Sequence, residues 1–154
     1  MAAGNICMEN VKAVGVQRCP PKANLATNKQ FFYTTVRNDR DNIIVNLTTG
    51  FALKSIDFAE VLEEKKKYVI ARQLLRSGTS IGANVREAQN AESRADFIHK
   101  FKIAAKEADE TFYWLTLCMK ASSYPKPAPS FLAELDDISR VITKIIATSK
   151  SKRN

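Results

Sequence analysis

The chain has 154 residues, which is enough for one ordinary domain and too few for two comfortable ones. Its 45% hydrophobic and 26% charged residues are typical of a soluble globular protein, and no apolar run approaches the roughly 20 residues that a membrane-spanning helix needs. The formal net charge of +8 favours a polyanion partner such as RNA, DNA or an anionic membrane, although simple solubility would also explain it.

The cysteines argue against two kinds of stabilising site. Cys7, Cys19 and Cys118 are odd in number and widely spaced, and none belongs to a Cys-x-x-Cys or Cys/His cluster. The sequence therefore predicts neither a disulfide framework nor a zinc site, and it suggests no other cofactor. The first residues lack the apolar core of a signal peptide. We expect a cytoplasmic protein with no membrane partner.

Residues 1–42 differ in pattern from the rest of the chain. They mix small, polar and aromatic residues with no sustained period, and Cys19-Pro20-Pro21 interrupts any regular element. We predict a flexible or loosely docked extension. The alternative is a short strand within residues 30–40 that pairs with another segment.

The first helix is predicted over residues 46–64. At 100° per residue, its apolar positions fall on two sides. The predicted core stripe consists of Leu47, Phe51, Phe58, Val61 and Leu62. Leu53 and Ile56 fall on the other side. The charge run that follows, residues 63–67, is predicted to be a solvated turn.

The second helix is predicted over residues 68–91, with one apolar face. That face consists of Ile70, Leu74, Ile81, Val85 and Ala88. Gly78 and Gly82 lie beside it, four residues apart. Because no Gly-rich phosphate motif is present, this pair favours close approach by a neighbouring helix. Arg72, Arg76 and Arg86 lie on the opposite face.

The third helix is predicted over residues 94–122, because Ser93 begins a variant of the capping box. Its main stripe consists of Phe97, Phe101, Ala104, Ala108, Phe112, Leu115 and Met119. Ile103, Trp114 and Leu117 point the other way. One hairpin partner cannot bury apolar residues on two faces, so we predict an oligomer interface. Its predicted residues are Leu53, Ile56, Ile103, Trp114 and Leu117.

A proline-rich loop over residues 122–130 precedes the fourth helix, which is predicted to end near Thr148. Its apolar stripe consists of Phe131, Leu135, Ile138, Ile142, Ile145 and Ile146. Four amphipathic helices with mostly short loops predict an all-α fold, an antiparallel up-down-up-down four-helix bundle over residues 43–149. A basic tail is predicted over residues 150–154.

The sequence offers no catalytic constellation. The single histidine, His99, lies on a polar helix face beside lysines, where it is a poor metal ligand and a poor general base. A di-iron site in a helical bundle requires two inward Glu-x-x-His pairs, which one histidine cannot supply. We therefore predict that the protein is not an enzyme and holds no metal.

Polar residues recur on the flanks of the second and third helices. Asn84 and Glu87 are three residues apart, as are Glu107 and Glu110. Burying such groups is costly unless they are paired and hydrogen-bonded. We predict a polar network that fixes helix register or subunit contacts, and a functional site is the alternative.

Two motifs make the central stretch similar to a known family. The first, Leu-Arg-x-x-x-Ser-Ile-x-x-Asn-x-x-Glu, is matched by Leu75, Arg76, Ser80, Ile81, Asn84 and Glu87. The second, Phe-x-x-x-x-x-Ile-Ala-x-x-Glu-x-x-Glu, is matched by Phe97, Ile103, Ala104, Glu107 and Glu110. Residues 43–148 thereby resemble the four-helix-bundle family of proteins encoded in intervening sequences of bacterial 23S rRNA genes. Gly82 stands where many relatives have proline, and residues 1–42 match nothing in the family.

The resemblance implies a bundle that commonly assembles as a homopentamer with a central opening, and no established activity for most members. One branch is similar to the accessory variability determinants of diversity-generating retroelements, which are basic pentamers that bind nucleic acid and work with a reverse transcriptase. We therefore predict weakly sequence-specific binding of RNA or DNA phosphates. The predicted contacts are Arg72, Arg76, Arg86, Lys100, Lys102, Lys106, Lys150, Lys152 and Arg153. The alternative is a protein-interaction scaffold with no direct nucleic-acid role.

Overall fold

A computed structural model describes residues 42–151, and this part of the chain contains four α-helices and no strand. In chain order, α1 spans Ile43–Glu64, α2 spans Tyr68–Ala88, α3 spans Arg94–Lys120 and α4 spans Pro129–Ser151. Each helix packs against the next, and α4 also packs against α1, which closes the bundle. The predicted all-α four-helix bundle is confirmed. Most of the predicted N-terminal extension, residues 1–41, and the end of the predicted tail lie outside the described residues.

The ends of the helices confirm the antiparallel order. Asn42 precedes α1 and donates a hydrogen bond of 3.0 Å to Gln89, which follows α2. Arg94, the first residue of α3, donates to the carbonyl oxygen of Ser149 near the end of α4. At each of these two contacts, the start of one helix therefore lies beside the end of another. The connections of α1 to α2 and of α2 to α3 are short, as the up-down topology requires.

Several helix boundaries differ from the prediction by two or three residues. The start of α3 is confirmed, because the Ser93 hydroxyl oxygen accepts a hydrogen bond of 3.1 Å from the Asp96 amide. However, α1 begins three residues earlier than predicted, and α2 ends three residues earlier. The helix α4 continues through Ser151, so the first two residues of the predicted tail are helical.

The predicted core stripe of α1 is partly wrong. Leu47 and Val61 are 42% and 41% exposed, whereas Thr48 and Ser55 are completely buried. The buried hydroxyls lose little by leaving water, because each donates to a carbonyl four residues earlier in its own helix, at 2.8 and 2.9 Å. Small polar residues can therefore occupy the core face, and the larger apolar residues beside them remain exposed.

The predicted core stripe of α3 is also partly wrong. Phe112 and Met119 were predicted in its core stripe but are 52% and 48% exposed. Thr111 and Cys118, each one residue earlier, are buried instead. The Thr111 hydroxyl lies 2.9 Å from that of Ser77, which joins α3 to α2 inside the core. The predicted stripe of α4 is confirmed from Phe131 through Ile142.

The two glycines of α2 lie at its closest approach to α1. An added Cβ at Gly78 would lie only 2.8 Å from the Ser55 Cβ, and one at Gly82 would lie 3.4 Å from the Thr48 backbone oxygen. The predicted role of this glycine pair in close helix packing is confirmed.

Candidate nucleic-acid interface

Three arginines project from the outward face of α2. The opposite side of the helix is anchored in the core by Leu74 and Val85, so Arg72, Arg76 and Arg86 are exposed. At 100° per residue they lie within about 80° of one another. Spaced along three to four turns, their guanidinium groups form a basic strip that can face phosphates.

The predicted lysines of α3 divide into two groups. Lys102 and Lys106 are exposed and lie within about 40° of one another on the helix. Lys100 lies at least about 120° away from both, and its ammonium pairs with Glu87 of α2 at 2.6 Å. The hydrogen bond and charge of Glu87 raise the pKa of Lys100. Lys100 therefore contributes to the α2–α3 contact, and its charge is compensated.

The predicted contacts in the last helix are only partly described. Lys150 is exposed in the last turn of α4. It lies at the end of the bundle where α2 ends and α3 begins, because Arg94 contacts Ser149 there. Lys152 and Arg153 lie outside the described residues.

The four predicted network residues make separate contacts within residues 42–151. The Asn84 amide donates to the Ser80 carbonyl at 2.9 Å, and Glu87 pairs with Lys100. The Trp114 indole N–H donates to a Glu110 carboxylate oxygen at 3.2 Å. No hydrogen bond joins two of the four in this part of the chain, so a network through subunit contacts stays a prediction.

Glu107 stands apart from the other three. Its Oε2 is buried, and no donor among the described residues reaches it. Burial raises the pKa of Glu107, and the nearby carboxylate of Glu110 raises it further, whereas Arg76 lowers it. Arg76 therefore favours the charged form of Glu107, and this attraction partly compensates the charge of Arg76.

The predicted oligomer-interface residues lie on two different surfaces. Leu53 and Ile56 of α1 are 59% and 38% exposed. Ile103, Trp114 and Leu117 of α3 are half-buried, and Trp114 also packs against the core. Because α1 and α3 are not neighbours in the bundle, these residues form two separate apolar surfaces.

The described residues offer neither a metal-binding cluster nor a membrane-spanning helix. Within residues 42–151, no group of three or more His, Cys, Asp or Glu side chains is placed to hold a metal ion. None of the described helices has the length and apolar character needed to cross a membrane.

Comparisons with known proteins identify relatives of the chain. The family model of the 23S rRNA-intervening sequence protein matches residues 40–144. A crystal structure at 1.70 Å resolution is also similar, that of a protein of unknown function from the S23 ribosomal protein family of Bacteroides thetaiotaomicron VPI-5482. The two chains are 38% identical, and the match covers 68% of this chain and 98% of that one with a TM-score of 0.63. No curated protein matches.

Proposed function

The chain belongs to the 23S rRNA-intervening sequence protein family, and we propose that it is a non-enzymatic, basic homo-oligomer that binds nucleic acid. The binding surface is the outward face of α2 together with the exposed lysines of α3. An accessory role beside a reverse transcriptase is the proposed biological setting, and it follows from the resemblance to retroelement determinants.

The observation that carries the proposal is a set of exposed, uncompensated cations. Arg72, Lys102 and Lys106 are exposed and form no ion pair within residues 42–151. Together with the net charge of +8, they produce a positive potential that attracts polyanions. Contacts of this kind reach phosphates and carry no base readout, so the binding is weakly sequence-specific and salt-dependent.

The two separated apolar surfaces support a ring-shaped homo-oligomer, for which we propose five subunits. A closed ring is built from contacts between two different surfaces of each subunit. The Leu53–Ile56 surface of α1 and the Ile103–Trp114–Leu117 surface of α3 supply two such surfaces in one chain. The exposed arginine face of α2 includes none of these apolar residues, so in the proposed ring it remains open to nucleic acid.

The proposal is tested by titrating labelled RNA and DNA with the wild type and a charge variant. Replacing Arg72, Lys102 and Lys106 by glutamine should weaken binding to both polymers by about tenfold or more at low salt. The matched control replaces Lys54, Arg140 and Lys144, which removes the same charge. In this control two of the three cations are already paired, with Glu134 and Asp136. Equal losses in both variants would show that net charge alone is responsible.

A protein-interaction scaffold is the second candidate function, favoured by exposed apolar side chains. Val69, Tyr113 and Phe112 are 74%, 56% and 52% exposed. If this candidate is correct, the wild type binds neither RNA nor DNA at low salt. It should instead co-purify in stoichiometric amount with a defined protein when the two are expressed together.

A further inference from the structure

The turn between α1 and α2 holds a lysine in a backbone conformation that favours glycine. Lys66 has a φ of 57°, in the left-handed region. Its amide donates to the Glu63 carbonyl at 2.8 Å, and the Lys67 amide donates to the Leu62 carbonyl at 2.9 Å. These two bonds define a Schellman motif, in which the residue at the position of Lys66 is usually glycine. A lysine side chain there costs stability that glycine would not.

Five lysines lie at the end of the bundle where α1 and α3 end, and two of them have structural roles. The ammonium of Lys67 lies 4.6 Å from the ring centre of Tyr124, which joins the α1–α2 turn to the α3–α4 loop. Lys126 donates to the carbonyl oxygens of Met119 and Ala121 at 2.7 Å, at the C-terminus of α3. These contacts explain why cations stand at both positions.

The other three lysines have no such role. Lys65, Lys66 and Lys120 are exposed, and within residues 42–151 their side chains form neither an ion pair nor a hydrogen bond. Favourable interaction with the C-terminal ends of α1 and α3 would account for a positive charge near these ends. It does not account for a lysine at the strained position, because Lys65 and Lys67 already supply that charge.

The three lysines lie at the end of the bundle where α2 begins. Tyr68 begins α2, and Arg72 follows one turn later on the exposed side. From Arg72 to Arg86, α2 rises by about 21 Å at 1.5 Å per residue. A basic surface of this length suits a polymer with regularly repeated phosphates better than a single small anion.

We propose that Lys65, Lys66 and Lys120 form a second phosphate-binding site at this end of the bundle, which binds the backbone of the same nucleic acid as the α2 face. The inference rests on the proposed function, since it extends that surface to the turn. The strained Lys66 is retained there because its side chain contacts a phosphate. Both RNA and DNA offer that chemistry, so the two polymers are separate arms of the test.

The sharpest test is Lys66→Gly, because stability and binding should change in opposite directions. Glycine relieves the left-handed backbone strain, so the melting temperature should rise. Loss of one phosphate contact should weaken RNA or DNA binding several-fold and reduce the slope of log affinity against log salt by about 1. A higher melting temperature with unchanged affinity for both polymers would overturn the inference.

A second variant tests the site without relieving the left-handed backbone strain at Lys66. Replacing Lys65, Lys66 and Lys120 together by glutamine should weaken binding by tenfold or more at low salt and reduce the salt slope by about 3. The Lys54, Arg140 and Lys144 variant serves as the charge-matched control. If the wild type binds and the triple variant binds equally well, the inference fails while the proposed function stands. If the wild type binds neither polymer, both fail.

A titration with a polyglutamate peptide tests whether the site binds an acidic protein and not a nucleic acid. We expect the three substitutions to affect nucleic-acid binding at least as strongly as any binding of this peptide. If they abolish peptide binding and leave RNA and DNA affinity unchanged, the site accepts an acidic protein and the proposal is overturned.

Discussion

At the scale of single residues, Glu107 has the clearest energetic consequence. Its Oε2 is buried without a donor among residues 42–151, and burial and Glu110 raise its pKa above the ordinary value of 4.5. The folded state therefore holds this proton more tightly than the unfolded state does. The group lowers stability as the pH rises from the ordinary pKa through the raised one, and the penalty is complete at higher pH.

We predict that Glu107→Gln increases the free energy of unfolding at neutral pH by about 1 kcal/mol, because a neutral amide is less costly to bury than a carboxylate. The gain should disappear as the pH falls below the ordinary pKa of the carboxyl group. Denaturant unfolding of both proteins across this pH range measures it. A variant that is less stable than the wild type at neutral pH would contradict the prediction.

Two glycines give a second prediction at this scale, because replacing each by alanine should change the stability in opposite directions. Gly78→Ala should lower stability by about 1–3 kcal/mol, because its Cβ would overlap Ser55 in the α1–α2 contact. Gly50→Ala should raise stability by about 0.5–1 kcal/mol, because an added Cβ meets no atom within 4 Å. Thermal unfolding of both variants tests the packing, and shifts of the same sign would contradict it.

At the scale of the helices, Lys126 completes the C-terminus of α3. Its ammonium lies 3.3 Å from the Cys118 carbonyl oxygen and 2.7 Å from those of Met119 and Ala121. The last carbonyl groups of a helix lack partners within it, and a cation there also interacts favourably with the helix dipole. Lys126 therefore helps to fix the stop of α3 before the proline-rich loop.

Replacing Lys126 by methionine should lower the free energy of unfolding by about 1 kcal/mol, since the carbonyl groups lose charged donors. Lys106→Met on the exposed face of the same helix is the control and should change stability by less than about 0.5 kcal/mol. Urea unfolding of the two variants decides the matter. Equal effects would show that Lys126 contributes nothing beyond a surface lysine.

The helices also show which structural features can be read from the sequence. The period of apolar residues predicts all four helices, the Ser93 cap predicts the start of α3, and the glycine pair predicts the close approach of α2 to α1. Hydropathy could not predict the buried Thr48 and Thr111, because their burial depends on hydroxyl contacts to carbonyl groups and to another helix. The predicted core positions beside them, Leu47 and Phe112, are therefore wrong.

The candidate binding surface was less predictable than the fold. The exposed positions of Arg72 and Lys102 follow from helix periodicity. The pairing of Lys100 with Glu87 depends on the relative register of two helices, which the sequence does not specify. The sequence does not predict the left-handed Lys66, because a run of lysines is typical of an ordinary solvated turn.

At the scale of the whole molecule, Leu53 offers the cleanest test of assembly. It is 59% exposed, so Leu53→Glu should leave helical circular dichroism intact while lowering the oligomer's mass in light scattering. Ile43→Glu is the matched control, because Ile43 is 72% exposed and lies outside the predicted interface. Trp114 is less suitable since it also packs against the core. An unchanged mass for Leu53→Glu would mean that this surface makes no subunit contact.

The central claim is that the assembled protein binds nucleic acid through phosphate contacts. Its most direct test is the affinity of the wild type for labelled RNA and DNA, measured at several salt concentrations. The account predicts binding at about 50 mM salt and a linear fall of log affinity with log salt, by at least about 100-fold at about 200 mM. No binding to either polymer at the lowest salt, or an affinity independent of salt, would contradict it.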